Sequence, residues 1–321
     1  MSVGSVNVLR PILGLEDVFG ERATGLRTLQ FRLFEIYNQA GFSEVIPPLV
    51  ERPQSLISGA GRFLADQTLV FSDPADAGQL AIRPDITPQV ARIAATRMQS
   101  NHELKLYYSG QVMLARPDAR SGSRQQWQTG VEYLGVADEG GDVEVMHLAG
   151  LSMQAAGFLS PVLQVGHMGL IRALVGDSST DIETWVEVLS RRSPEDMAQQ
   201  LEDENLSEAK KSALLVLAAG QGDGTWLASV ADTISDEFKA SASELLQLVE
   251  RVEPRLSGEV TIQIEAAVVP RFLYHSGMVF TGFAEGSSRA LLHGGRYDEM
   301  MQAHGRDMPA TGFSFDLWAW L

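Results

Sequence analysis

The 321-residue chain has no cysteine. That excludes disulfides, thiolate metal sites, CxxC redox chemistry and a cysteine nucleophile together. No apolar run approaches the roughly 20 residues of a membrane-spanning helix. The opening MSVGSVNVLR lacks the charged leader and apolar block of a secretory signal, so a cytoplasmic location and no membrane contact are expected. Neither GxGxxG nor a GxxxxGK phosphate loop occurs. HExxH and GxSxG are missing as well, so zincin and serine-hydrolase readings lose their anchors, and no metal or cofactor is expected. Positive charge is scarce: 25 Lys and Arg stand against 41 Asp and Glu, a net charge of −16. Such a field repels phosphate backbones and argues against nucleic acid as a partner.

The composition, 45% hydrophobic and 21% charged, is that of a globular protein of one large domain or two modest ones. Leu26, Leu29, Leu33, Ile36, Tyr37 and Ala40 recur at helical spacing and predict a helix over 24–40 that stops at Gly41. The proline pair in VIPPLVER (45–52) suits an edge strand. TLVFS (68–72) and QLAIR (79–83) predict a hairpin across DPADAG. Thr87 is the expected N-cap of a helix with Pro88 at its first position. Strands are expected over 104–116, WQTGVEYLGV and 161–167, with a helix opening at Asp142 between the last two.

From 177 to 257 strand signals vanish. Between Asp177 and Arg255 there are 17 acids and 7 bases, the pattern of solvated charged helices. Strands resume at 260–266, 278–284 and 288–293, and a glycine-rich end follows (GGRYD, PATGFSFD). There is no internal repeat. Antiparallel strands with helices to one side predict an α+β fold, with residues 1–176 and 258–321 as one domain and 177–257 as a helical insertion.

Four polar clusters punctuate the strands: Arg83-Pro-Asp85-Ile-Thr87, Gln126-Trp-Gln128-Thr-Gly-Val-Glu132, Tyr274-His275-Ser276-Gly277 and Gly294-Gly-Arg296-Tyr297-Asp298. A carboxylate on a core-facing strand is costly unless it is paired or faces a pocket. Gln128 and Glu132 differ by four, so strand alternation puts both on one face, where they would form a cleft floor suited to a zwitterion. Each residue has a plainer reading beside that one. Asp85 and Thr87 either accept from an ammonium or cap the next helix, and Arg83 is a candidate partner for Asp85. Glu132 either accepts from a ring N–H or pairs with an arginine. His275 is either a ligand contact or a hydrogen-bonded rim residue.

Taken together, these strings resemble the catalytic domain of histidyl-tRNA synthetase. They look still more like its non-catalytic relative, the regulatory subunit of ATP phosphoribosyltransferase. RPDITPQVARIAATR matches that regulatory family's most characteristic segment. YYSGQVMLARP with WQTGVEYLG resembles class II motif 2, YHSGMVF a histidine-binding segment, and GGRYDEMMQAHGRDMPATGFSFDL the region of motif 3. The resemblance covers roughly residues 10–175 and 260–318. It implies a class II synthetase-like antiparallel sheet flanked by helices, and the chain ends where the synthetase continues into its anticodon-binding domain.

Departures accompany the matches. The resemblance puts Leu114 at the motif 2 arginine, Ala319 at the motif 3 arginine and Asp316 at a family glycine. Pro270 falls at the synthetase's catalytic arginine, with Arg271 next door. Those arginines offset phosphate charge during adenylation, so a poor ATP and tRNA binder is implied. The amino-acid pocket is better kept. By resemblance, Asp85 and Thr87 hold a histidine ammonium, Gln128 orients its backbone end and Glu132 takes the imidazole. Tyr274 or His275 closes the ring side, and Arg271 is the candidate for the carboxylate. The implied protein is a non-catalytic dimer that binds the short-form catalytic subunit of ATP phosphoribosyltransferase and takes L-histidine as effector. Two other readings stand beside it. One is a free-standing histidine-adenylating enzyme that uses Arg83, Arg116, Arg124 or Arg271 in new roles. The other is a structural activator that has lost the pocket.

Overall fold

Leu26, Leu29, Leu33 and Tyr37 are all buried, and their spacing makes Gly20–Gln39 a helix with one apolar face (α1). Gly41, at φ +83°, turns the chain just beyond it. The computed structural model describes residues 11–59, 61–76, 78–98, 102–118, 121–256, 258–268 and 274–321. Two short strands follow α1, Ser43–Glu44 (β1) and Val50–Glu51 (β2). The helices Pro53–Ile57 (α2) and Gly61–Asp66 (α3) come next. The expected hairpin is Leu69–Ser72 (β3) and Gln79–Ile82 (β4), and β2, just after Pro47 and Pro48, pairs with β4 at the edge of a three-stranded sheet.

Thr87–Thr96 (α4) leads to the long antiparallel pair Leu104–Met113 (β5) and Gln125–Leu134 (β6). Gly140–Ala155 (α5), Val162–His167 (β7) and Met168–Val175 (α6) follow. Five helices come next: Ile182–Ser190 (α7), Pro194–Leu201 (α8), Glu208–Ala218 (α9), Gly224–Ile234 (α10) and Asp236–Val252 (α11). Each begins at a side-chain cap, in turn Asp181, Ser193, Ser207, Asp223 and Ser235. Such caps satisfy the orphan N–H groups of a first turn, which is why this charged stretch divides where it does. Thr261–Ile264 (β8), Met278–Phe283 (β9), Leu292–Arg296 (β10), Asp298–Ala303 (α12) and Ala310–Asp316 (β11) complete the chain.

The large sheet runs β1-β5-β6-β11-β10-β9-β7-β8. Its inner pairs are antiparallel, as expected, but both outermost pairs, β1 with β5 and β7 with β8, are parallel. Two further expectations are corrected. The strand expected over 288–293 starts at Leu292 and continues through Gly294, Gly295 and Arg296, and PATGFSFD contains β11. Glycines normally weaken a strand. Here a Cβ on Gly294 would lie 2.7 Å from the Gly312 carbonyl oxygen of the adjoining strand, so the close approach demands glycine.

Tyr107, Val131, Tyr133 and Phe313 face the rear of this sheet and join α1 and α5 in the main core. The same continuous core takes in Trp185, Leu214, Phe238 and Leu245 from α7, α9 and α11. A smaller cluster on the front, including Ile86, Val90, Tyr108, Tyr274 and Tyr297, seats α4 and α12. No helix among the described residues is long and apolar enough to cross a membrane.

Candidate functional site

Directly paired residues on neighbouring strands share a face of the sheet. Tyr108 pairs with Gly130, Glu132 with Gly312, and Gln128 with Asp316. Gln128 and Glu132 are therefore on the front face, as alternation predicts, and both line a cleft of about 850 Å³. Thr87, Tyr274, His275 and Tyr297 line it too.

Glu132 is buried at the inner end, 1% exposed. Its Oε1 accepts from Thr87 Oγ1 at 2.8 Å and Tyr108 OH at 3.2 Å, and its Oε2 from Tyr297 OH at 2.6 Å. Burial pushes its carboxyl up to about 8, although these hydroxyls pull the other way. Burial also holds the Tyr108, Tyr274 and Tyr297 phenols well above their ordinary range, so all three stay protonated donors.

Asp85 lies beside this nest. Its Oδ1 accepts from Gln128 Nε2 at 2.6 Å and from the Thr87 amide at 3.1 Å, and its Oδ2 from Tyr274 OH at 3.5 Å. Gln128 in turn takes the Ile86 amide at 2.8 Å and donates to Ser314 Oγ at 3.1 Å. The Tyr274 ring stacks on His275 at 4.6 Å and meets Tyr297 edge-on at 5.8 Å. The structure thus brings Asp85, Thr87, Gln128, Glu132 and Tyr274 into one hydrogen-bonded cluster, with His275 at its side.

Several plainer readings are corrected. Thr87 is not the N-cap of α4. Ile86 occupies that place without a side-chain bond, Thr87 is already helical, and its hydroxyl serves Glu132 instead. The cap-like bond comes from Asp85. Arg83, the candidate partner of Asp85, has its pKa lowered by burial, while it does feel that carboxylate's charge. Its guanidinium reaches Gln111 O and Pro47 O, each at 2.8 Å, and Gln89 Oε1 at 3.3 Å, with Gly110 making room for it. Arg271 and Pro270 lie outside the described residues.

Sequence reasoning missed Tyr108, Tyr297 and Ser314. Tyr297 stood in a flagged cluster, but a tyrosine beside Arg296 and Asp298 drew no separate attention. Arg296 itself is structural: it is paired with buried Asp142 at 2.9 Å and donates to the Val136 and Asp138 carbonyls.

The outer cleft has a different character. Leu114 and Ala319, at the implied motif 2 and motif 3 positions, both line it. Asp316 accepts from the Trp127 and Trp318 amides, so it serves as a backbone cap there. Arg124 donates to the Leu114 carbonyl at 3.1 Å. Among the described residues the arginines lining the cleft are Arg116 and Arg289. Asp181, Glu183 and Glu187, in and just before α7, form part of one wall. Among the described residues, no three or more His, Asp or Glu side chains are grouped so as to hold a metal ion.

Comparison with known proteins gives a consistent picture. A family profile described as Histidyl-tRNA synthetase matches residues 14–319. The chain is 34% identical to the ATP phosphoribosyltransferase regulatory subunit of Chromohalobacter salexigens, over 95% of this chain and 79% of that protein. It is also 34% identical to the protein of that name from Thiobacillus denitrificans, over 94% of each chain. A solved structure titled ATP phosphoribosyltransferase regulatory subunit/histidyl-tRNA synthetase, from Bacillus halodurans, superposes with a TM-score of 0.86. That match has 23% identity and covers 98% of this chain and 82% of that one, a likeness of fold.

Proposed function

Since this chain belongs to the histidyl-tRNA synthetase-related family of ATP phosphoribosyltransferase regulatory subunits, we propose that it acts without chemistry of its own. Its partner is the short-form catalytic subunit, which joins ATP to phosphoribosyl pyrophosphate in the first step of histidine biosynthesis. The chain pairs with a second copy of itself, and L-histidine bound in the cleft signals pathway sufficiency.

One contrast carries this reading. The inner cleft keeps a buried carboxylate, Glu132, inside a ring of hydroxyl donors. The outer cleft presents Leu114 and Ala319 where an adenylating enzyme needs guanidinium groups. An amino acid with a ring N–H suits the first region, and triphosphate does not suit the second. In the cleft the histidine ammonium goes to Asp85 and Thr87, its ring N–H to Glu132, and Tyr274 and His275 flank the ring. Arg271 is the candidate for its carboxylate. Histidine regulates the complex only by binding its inhibited and active assemblies differently, a coupling of about 1–3 kcal/mol.

The test mixes the chain with the short catalytic subunit and measures turnover with and without L-histidine. Co-elution and a histidine-sensitive rate are expected. No co-elution and no change in rate would remove the proposal. Histidine-dependent pyrophosphate exchange by the isolated chain would favour the adenylating enzyme instead. That alternative is weakened because Arg83 is committed to backbone carbonyls and Arg124 donates to Leu114.

A further inference from the structure

Beside Glu132, the adjoining strand β11 carries no side chain. Gly312 pairs directly with Glu132 across β6 and β11. A Cβ built on Gly312 would lie 2.8 Å from the Glu132 carboxyl carbon and closer still to Oε2. The carboxylate therefore occupies the space that any other residue at 312 would fill. A counterpart sits two residues along β6: a Cβ on Gly130 would lie 2.7 Å from Tyr108 OH, the hydroxyl that donates to Glu132 Oε1. Gly312 and Gly294 also line the cleft, so backbone forms part of its floor.

We propose that Gly312 is a positioning residue for ligand recognition, holding the Glu132 carboxylate flat across β11 with one acceptor site turned to the cleft. Burial keeps Glu132 protonated in the empty cleft up to about pH 8; an N–H donor binds the ionised form, and that carboxylate offers about four acceptor positions. Oε1 uses two, for Thr87 and Tyr108, and Oε2 uses one, for Tyr297. One remains for a ligand N–H. The ligand class that follows is a flat heteroaromatic ring with an N–H at its edge, lying where Gly312 adds no side chain to the floor. The inference rests on the histidine reading above, whose ring belongs to that class, and adds the residue that makes the geometry available.

A side chain at 312 would also meet the Val131 carbonyl, 2.5 Å from the built Cβ, so strand separation must be told apart from displacement of Glu132. A double-mutant cycle does this, because the backbone clash is common to both backgrounds. Thermal unfolding is measured for the full chain, Gly312→Ala, Glu132→Ala and the double variant, and for the first two with added L-histidine. The expected result is that Gly312→Ala abolishes the histidine-induced shift. Its own loss of melting temperature should shrink by at least about half once Glu132 is alanine. Should Gly312→Ala fail to fold, a folded double variant supports the proposal. Equal losses in both backgrounds, or failure of both variants to fold, would overturn it. Absence of a histidine shift in the unsubstituted chain counts against the ligand reading alone, and the cycle still decides the role of Gly312.

Discussion

Glu132 keeps its proton in the folded chain over a range where the unfolded chain has lost it. With its carboxyl at about 8 against an ordinary 4.5, the folded state holds more protons between those values, so this group's contribution to stability falls as pH rises through the window. Glu132→Gln removes the titration. Between pH 6 and pH 8 the unsubstituted chain should lose roughly 2 kcal/mol that the variant keeps, measured by denaturant unfolding at both values. Arg83 makes a second residue-level case. A lysine carries a point charge and three donors, and cannot reproduce the fork that reaches Pro47, Gln111 and Gln89. Arg83→Lys should cost about 2–3 kcal/mol of stability by the same measurement, with the histidine-induced shift preserved in the folded fraction. How legible these residues were follows from how local their signals are. Alternation along one strand was enough to put Gln128 and Glu132 on the same face. Thr87 looked like a cap because the hydroxyl partner that outcompetes the helix end, Glu132, is 45 positions away. Tyr108 becomes readable only once the β5–β6 register is known, since its identity alone suits either face.

The elements divide in the same way between local and distant causes. Caps are local, and the five helices from Ile182 to Val252 each start at one. Asp181→Ala should therefore cost about 1 kcal/mol and fray the first turn of α7, seen as faster amide exchange at Thr184. The strand β11 was not readable as a strand, and β10 only at Leu292 and His293, because their glycines answer to neighbours across the sheet: Gly294 to Gly312 O, and Gly312 to Glu132. The tie between β10 and α5 is long-range too. Arg296 and Asp142 are a buried pair, with side chains 12% and 8% exposed. Removing one partner strands the other charge, so Asp142→Ala should destabilise by about 3–5 kcal/mol in chemical denaturation. The parallel edge pairs β1–β5 and β7–β8 left no mark in the local pattern, since strand direction is set by connections and not by composition.

At the scale of the whole molecule, the ligand and partner readings separate. With histidine a hundredfold above its dissociation constant, the chain should gain about 2.7 kcal/mol of stability. Glu132→Gln should remove that gain while leaving co-elution with the catalytic subunit intact, by size exclusion and thermal shift on the same preparations. The core beneath the cleft runs without a break from the rear of the sheet into all of α7 to α11, joining Leu163 and Val165 to Trp185, Met197, Leu214, Leu227 and Phe238. Those five helices are thus the back wall of the house and not a porch. Cutting out 177–257 and splicing the ends would turn Leu163, Val165 and Leu170 toward water and leave insoluble protein, so no trimmed version with a working cleft is to be had by that route.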